Sequence, residues 1–259
     1  RVSSMHRITE GTVLFISILK WFVLASIVGL MVGLSTSLFL FLLDKAISFT
    51  GQFNYYFLLL PVAFFLSAVV TKIAPEAEGH GTEKVIEAVH KRKAYIKAAV
   101  VPVKLLTTIV TLACGGSAGK EGPCAQIGGG LASTFANLLR FSAADRKKLV
   151  ICGISAGFAS VFGTPIAGAI FGIEVLFVGG IMYDILLPSF IAGVTSYQIS
   201  SYFGVSYFYH FIDFVPAFSE LFFLKFIIGG VFFGIASLLL IEVMKSTAKL
   251  SQRIPLTPP

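Results

Sequence analysis

Residues 115–130, GGSAGKEGPCAQIGGG, place a lysine, a glutamate, a proline and several glycines between two apolar runs. Charged side chains are costly inside an apolar region, and glycine and proline interrupt helices, so the stretch needs a specific explanation. Glycine lets the backbone approach a ligand closely, whereas helix packing requires neither a lysine nor a glutamate. We therefore take residues 119–123 as the candidate functional loop, and we interpret the glycines at 128–130 as helix-packing positions.

The surrounding sequence has the composition of an integral membrane protein. Of the 259 residues, 56% are hydrophobic and only 13% are charged, whereas a soluble domain carries about 25% charged residues. Apolar segments follow one another along the chain, at residues 22–43, 56–70, 98–114, 149–162, 165–177, 181–199 and 221–241. A membrane-spanning helix needs roughly 17–25 mostly apolar residues, and only some of these segments are that long. The sequence thus predicts an all-α membrane protein in which several helices are short or broken.

The net charge of +7 is concentrated in basic clusters beside the apolar segments. The clustered residues are Lys91, Arg92, Lys93 and Lys97; Arg140, Arg146, Lys147 and Lys148; Arg1, Arg7 and Lys20; and Lys245, Lys249 and Arg253. The positive-inside rule places these loops and both ends in the cytoplasm, in a plasma (inner) membrane. A nucleic-acid partner is not expected, because each cluster is short and adjoins a membrane segment.

No enzyme, metal site or disulfide is expected. The G-x-S-x-G match at residues 153–157 lies within a continuous apolar run, whereas a nucleophile elbow needs a strand before it and a helix after it. His80 and His90 lack supporting carboxylates at metal-ligand spacing. The three cysteines show neither metal-ligand nor disulfide spacing, and they are Cys114, Cys124 and Cys152.

Three glycine-containing loops precede predicted short helices, at residues 79–81, 119–123 and 163–165. A helix that begins inside a protein directs unpaired N–H groups and the positive end of its dipole toward that point, which suits an anion. Short helices interrupted by glycine or proline are typical of transport sites near the membrane midplane. The same glycines also suit helix packing, but Lys120 and Glu121 favour an anion site in the second loop.

The motif GKEGP at residues 119–123 resembles the G-[K/R]-E-G-P signature of the CLC family of chloride channels and chloride/proton exchangers. It continues as CAQIGG, as it does in that family, and PVK at residues 102–104 stands at the expected distance before it. Residues 153–176 resemble the family segment A-G-x-x-x-x-F-x-x-P-[IL]-x-G-x-x-F-x-x-E. Order and spacing agree over roughly residues 74–199.

The resemblance implies a CLC-type fold of short, broken and tilted helices. In that family each subunit of a homodimer has its own anion pathway, built from two inverted repeats. We expect residues 1–210 to form the first repeat with its anion-site loops, and residues 211–259 to contain the opening helix of the second repeat, where the sequence stops. We expect the homodimer contact to involve helices within residues 164–203.

The resemblance also assigns the candidate site. The implied anion-binding residues are Gly79, His80 and Gly81 in one loop, and Gly119, Lys120, Glu121 and Gly122 in another. Glu121 matches the gating glutamate, whose carboxylate occupies the anion position until protonation releases it, and Lys120 adds positive potential. Bound chloride is expected, with no other cofactor. His80 replaces the family's serine; it either donates an N–H group to the anion or points away and caps the loop.

Transport mode depends on Val175, where family exchangers commonly carry a second glutamate and channels carry valine. This favours a voltage- or pH-gated chloride channel. The alternatives are a proton antiporter for chloride, fluoride or nitrate, and a non-transporting membrane scaffold or sensor. Glu174 is a candidate for the proton path; its other interpretation is a structural carboxylate paired with a buried lysine such as Lys104.

Overall fold

The computed structural model describes residues 2–176, 182–207 and 219–252. Every regular secondary-structure element within these residues is a helix. Nine α-helices follow one another: α1 Val2–Thr50, α2 Leu60–Thr71, α3 Gly81–Lys91, α4 Val100–Ala113, α5 Glu121–Leu138, α6 Ala143–Phe162, α7 Pro165–Glu174, α8 Tyr183–Tyr202 and α9 Glu220–Gln252. Short 3-10 turns at Tyr56–Leu59 and Pro75–Ala77 precede α2 and α3. The predicted all-α fold with many short helices is confirmed.

The chain divides into two compact units, Arg1–Tyr207 and Phe208–Pro259. The first contains α1 to α8 and the buried core, and the second contains α9. The predicted repeat boundary at residues 210 and 211 lies outside the described residues, as do residues 177 and 181 at the ends of two predicted apolar runs. Arg1 and Arg253 of the predicted cytoplasmic ends also lie outside them.

Two helices within the described residues are long and apolar enough to cross a membrane, over Leu14–Thr50 and Glu220–Leu250. The shorter apolar helices are Tyr56–Thr71, Val100–Ala113 and Pro165–Glu174. At about 1.5 Å of rise per residue, a ten-residue helix covers only half of a bilayer core of about 30 Å. The short helices therefore begin or end within the fold.

The short helices begin where the sequence predicts. Pro165 is among the first residues of α7, where its missing N–H group costs no helical hydrogen bond. Gly163 ends α6 in the left-handed conformation with φ of 70° and so allows the sharp turn between the two helices. Helix α3 follows the loop at residues 79–81 and is amphipathic, with Val85 and Val89 buried. The predicted helix starts after these two loops are confirmed.

The core is centred on the crossing of α5 and α6. A Cβ atom on Gly128 would overlap the carbonyl group of Gly153, and a Cβ atom on Gly153 would overlap the carbonyl group of Gly128. Such close backbone approach is possible only where both helices lack side chains. Gly129 and Gly130 are also buried in α5, so the predicted packing role of residues 128–130 is confirmed.

This crossing predicts a loss of stability in the Gly128→Ala variant. Because the added methyl group would meet backbone rather than a side chain that can move, we expect about 2 kcal/mol of destabilisation. Thermal unfolding of purified protein in detergent measures it as a lower Tm. Gly229→Ala in α9 is the matched control, because its Cβ atom would meet none of the described residues within 4 Å. An unchanged Tm for Gly128→Ala would contradict the backbone contact.

The basic clusters at residues 91–97 and 140–148 lie on the same side of the first unit. The Arg146 Nε–H group in α6 donates to the Lys93 carbonyl (3.1 Å), which joins the α5–α6 turn to the α3–α4 turn. Lys148 forms an ion pair with Asp184 at the start of α8 (2.6 Å), and its ammonium lies 5.4 Å from the centre of the Trp21 ring in α1. Tryptophan beside lysine is typical of a membrane–water interface. The position of these loops relative to a membrane stays a prediction.

Candidate functional site

Two of the three predicted loops meet in space. Gly81 begins α3 and Gly122 lies in the first turn of α5, and a Cβ atom on Gly81 would overlap the Gly122 carbonyl group. A Cβ atom on Gly122 would in turn lie 3.4 Å from the Gly81 nitrogen and 3.6 Å from the Thr82 nitrogen. Only glycine allows this approach. The structure thus brings the N-terminal ends of α3 and α5 into direct contact.

Neither of these helix ends has a side-chain cap from the part of the chain that the structure describes. The first helical hydrogen bond of α3 runs from the Lys84 N–H group to the His80 carbonyl (3.3 Å), and that of α5 from the Cys124 N–H group to the Lys120 carbonyl (3.1 Å). The N–H groups before Lys84 and Cys124 therefore lack an acceptor within their own helices. In contrast, the Ser142 hydroxyl caps α6 by accepting the Asp145 N–H group. Two uncapped N-terminal ends that meet in this way suit a negative charge.

Glu121 is the first residue of α5, and its side chain is exposed. Its carboxylate folds back over the preceding loop, because a Cβ atom on Gly119 would overlap Glu121 Oε2. Within the described residues, the carboxylate has no hydrogen bond or ion pair, and the half-buried Lys120 forms no ion pair. Glycine at 119 therefore leaves the space that this acidic side chain occupies beside the helix ends.

His80 is the residue immediately before α3, and its side chain is exposed. Its backbone accepts the first helical hydrogen bond, but its imidazole makes no capping hydrogen bond. The interpretation of His80 as a capping side chain is therefore wrong. Its other predicted role, as an N–H donor to an anion, remains a prediction.

Lys104 does not form the ion pair with Glu174 that was considered from the sequence. Its ammonium is buried in α4 and donates to the carbonyl groups of Ala77 (3.0 Å) and Gly79 (2.8 Å). It does not pair with Glu174, which is exposed at the end of α7 and forms no ion pair within the described residues. An ammonium has three donors and is satisfied by carbonyl oxygens as well as by a carboxylate. The proton-path role of Glu174 remains a prediction.

Gln126 and Glu76 were not identified from the sequence. Gln126 is buried in α5, and its Nε2–H group donates to the Glu76 carbonyl (2.8 Å). The Glu76 carboxylate forms ion pairs with Arg92 (3.0 Å) and Lys97 (3.3 Å). The only sequence signal was a glutamine inside an otherwise apolar part of α5, which indicates a buried partner but does not name it.

The third predicted loop lies against a different part of the first unit. A Cβ atom on Gly163 would lie 2.8 Å from the Tyr207 ring, and the Tyr207 hydroxyl donates to the Ser160 carbonyl (3.0 Å). The Pro165 carbonyl lies close to Gly193 of α8. The contacts of this loop with Tyr207 and α8 are those of a packed helix junction.

The uncapped N-terminal ends of α3 and α5, which meet beside an acidic side chain, suit an anion, and the short apolar helices elsewhere in the fold are typical of transport proteins. The chain belongs to the voltage gated chloride channel family, whose profile matches residues 62–259. This confirms the resemblance to CLC proteins, and with it an integral membrane protein of an anion-transport family.

Two curated relatives illustrate the match. The chain is 36% identical over 222 residues to a chloride/fluoride channel protein of Pseudomonas syringae pv. tomato. The aligned region covers 86% of this chain and 49% of that protein. It is 34% identical over 169 residues to the H(+)/Cl(-) exchange transporter ClcA of Salmonella arizonae, covering 58% of this chain and 35% of the transporter. The chain thus spans about half the length, or less, of these relatives.

Two solved structures share the fold. A CLC-type fluoride/proton antiporter superposes with a TM-score of 0.79 at 26% identity, over 85% of this chain and 56% of that one. A slow cyanobacterial Cl-/H+ antiporter superposes with a TM-score of 0.73 at 23% identity, over 91% and 59%. One relative is described as a channel, but the exchanger and the fluoride/proton antiporter at 26% identity fit the antiporter alternative better than the predicted channel, and voltage gating has no support.

Proposed function

We propose that this chain forms one half of the pathway of a membrane antiporter that exchanges a small halide, chloride or fluoride, for protons. The observation that carries the proposal is the contact between Gly81 and Gly122, which brings two uncapped helix ends together beside Glu121. Backbone N–H groups and helix dipoles bind an anion without a fixed cation, so the anion can also leave.

Glu121 supplies the proton step in this proposal. As a carboxylate it competes with the halide for the positive helix ends, and as a carboxylic acid it no longer does so. One site therefore holds either a halide or the Glu121 carboxylate, which couples the entry of protons to the exit of anions. Lys120, at the start of α5, adds positive potential beside the site.

The chemistry of the site suits fluoride as well as chloride. Fluoride is the smaller and more strongly hydrated ion, and N–H groups replace its water better than apolar groups do. His80, exposed beside the start of α3, is the proposed additional donor in the first loop. Names of two relatives also mention fluoride. Glu174, exposed at the end of α7, is the proposed residue of the proton path.

The proposed assembly is a homodimer through helices within residues 164–203, in a plasma membrane with the basic loops on the cytoplasmic side. Helices α7 and α8 support it because they expose large apolar side chains, at Ile166, Ile170, Leu187 and Phe190. In a membrane such side chains face either lipid or another subunit.

Flux of the full-length protein in liposomes tests the antiporter proposal. With the membrane potential clamped at zero, an outward chloride or fluoride gradient should draw protons inward and raise the external pH while the anion leaves. A channel has no step that couples the two ions, so it would release the anion without moving protons. Anion and external pH are recorded together with ion-selective electrodes. Anion efflux without proton uptake would contradict antiport, and no flux of either halide would leave the scaffold or sensor role.

A further inference from the structure

The segment at residues 75–79 leads into α3 and carries the first half of the candidate site; we call it the pre-α3 segment. It contains little regular structure beyond the turn at Pro75–Ala77, and Gly79 has φ of 72°. Its own local hydrogen bonds therefore do not fix the position at which α3 begins. Side chains from two other helices contact its backbone instead.

Lys104 fixes the end of the pre-α3 segment nearest the site. The side chain is only 7% exposed, and it donates to the carbonyl groups of Ala77 and Gly79 at 3.0 and 2.8 Å. No carboxylate pairs with it within the described residues. Burying a cation that has only carbonyl partners costs free energy. A buried charge of this kind therefore indicates a functional role for the position that it occupies. Gly79 is two residues from the glycine that contacts α5.

Gln126 fixes the other end of the pre-α3 segment. It is 1% exposed, lies five residues after Glu121 in the same helix, and donates to the Glu76 carbonyl at 2.8 Å. Its Oε1 atom has no hydrogen-bond partner among the residues that the structure describes, and the side chain lines a small cavity together with Lys84 and Arg92. The cavity has room for about one water molecule, which would satisfy Oε1. The helix that carries Glu121 is thus tied to the segment that precedes α3.

We propose that Lys104 and Gln126 are positioning residues that act on the pre-α3 segment together, and that they set how strictly the site discriminates between fluoride and chloride. Neither side chain bonds to the loop of Glu121. They hold the carbonyl groups of residues 76, 77 and 79, and through them the N-terminal end of α3 against α5. Donors held in fixed positions distinguish ions of different size, whereas loosened donors adapt to either. The inference rests on the proposed function.

The test uses the full-length protein with Lys104→Met, Gln126→Leu and both together. Fluoride and chloride fluxes are measured in liposomes, and their ratio is compared with the ratio of the wild type. We expect each single variant to move the ratio about tenfold toward one, because each loses buried hydrogen bonds. We expect the double variant to move it no further than the larger single effect, because both side chains act on one segment.

Matched controls are available on the same two helices. Thr107 in α4 and Thr134 in α5 donate only to carbonyl groups of their own helices, those of Val103, Lys104 and Gly130. Thr107→Val and Thr134→Val should therefore leave the ratio unchanged. A merely structural role of Lys104 or Gln126 would lower the number of active molecules, and both fluxes equally, without changing their ratio.

Hydrogen exchange provides a readout that does not depend on transport. Amide groups of residues 76–83 should exchange faster in Lys104→Met and Gln126→Leu than in the wild type and the threonine controls, while the α5–α6 crossing remains protected. Unchanged exchange in both variants would overturn the positioning roles. An unchanged flux ratio with faster exchange would overturn the selectivity role, as would full additivity in the double variant. If the wild type transports neither halide, the proposed function is contradicted, and the selectivity role fails together with the proposed function. The hydrogen-exchange data alone then decide whether Lys104 and Gln126 are positioning residues.

Discussion

Glu121→Gln is expected to abolish proton movement while anion movement continues. Glutamine has nearly the shape of glutamic acid, but it neither binds nor releases a proton in the relevant pH range. Because proton transfer by a positioned side chain contributes about 10²–10⁴-fold, we expect proton flux to fall by at least about a hundredfold. The neutral amide also no longer competes with the halide for the ends of α3 and α5, so the remaining anion flux should not depend on pH.

The measurement is simultaneous recording of external pH and anion efflux from liposomes that contain equal amounts of wild-type or variant protein. Glu83→Gln is the matched control, because Glu83 is also an exposed acidic residue in the first turn of a helix, α3. Its proton flux should stay within about twofold of the wild type, since most surface substitutions have small effects. Proton movement that persists in Glu121→Gln would contradict the assignment of the proton step to Glu121. Loss of proton movement in Glu174→Gln as well would support Glu174 as a second proton site.

Gly81→Ala is expected to remove most anion transport. The added methyl group would overlap the Gly122 carbonyl group, which is backbone and cannot rotate away. The N-terminal ends of α3 and α5 would then separate, and displacement of about 1 Å in such a site costs about a hundredfold. We therefore expect halide flux per protein molecule to fall by about that factor, with weaker halide binding in isothermal titration calorimetry.

Gly129→Ala is the control for this substitution. Gly129 also lies where α5 packs against α3, but its Cβ atom would have ordinary contacts with side chains, at 3.4 Å from Val85 and 3.5 Å from Ile154. Flux and binding should remain close to those of the wild type. Near-normal flux in Gly81→Ala would show that the contact between the two helix ends is not needed for transport.

The helix starts could be predicted from the sequence because their determinants are local. A proline that opens α7, the glycine that ends α6, and the apolar side of α3 with Val85 and Val89 each depend on residues a few positions apart. The charged motif at residues 119–123 likewise marked the start of α5. The family resemblance, rather than local pattern, related this loop to Gly81.

Partners distant in sequence could not be predicted. The pattern around Lys104 indicates a buried lysine, but an ammonium accepts carbonyl or carboxylate partners equally, and only the folded chain shows that Ala77 and Gly79 are the partners. The same holds for the hydrogen bond from Gln126 to Glu76. The proposed transport mode could not be predicted from the sequence either, because Val175 alone does not determine whether protons reach the site.

The backbone contact of Gly128 with Gly153 limits the motions available to a transport cycle. Gly157 makes a second such contact, because a Cβ atom there would overlap the carbonyl group of Cys124. Sliding of one packed helix past another requires side chains that can exchange rotamers at the interface, and these two points have none. We therefore expect helices α5 and α6 to move as one rigid body. In the proposed antiport cycle, alternating exposure of the site would then come from rotation of the Glu121 side chain and from motion of elements outside this pair.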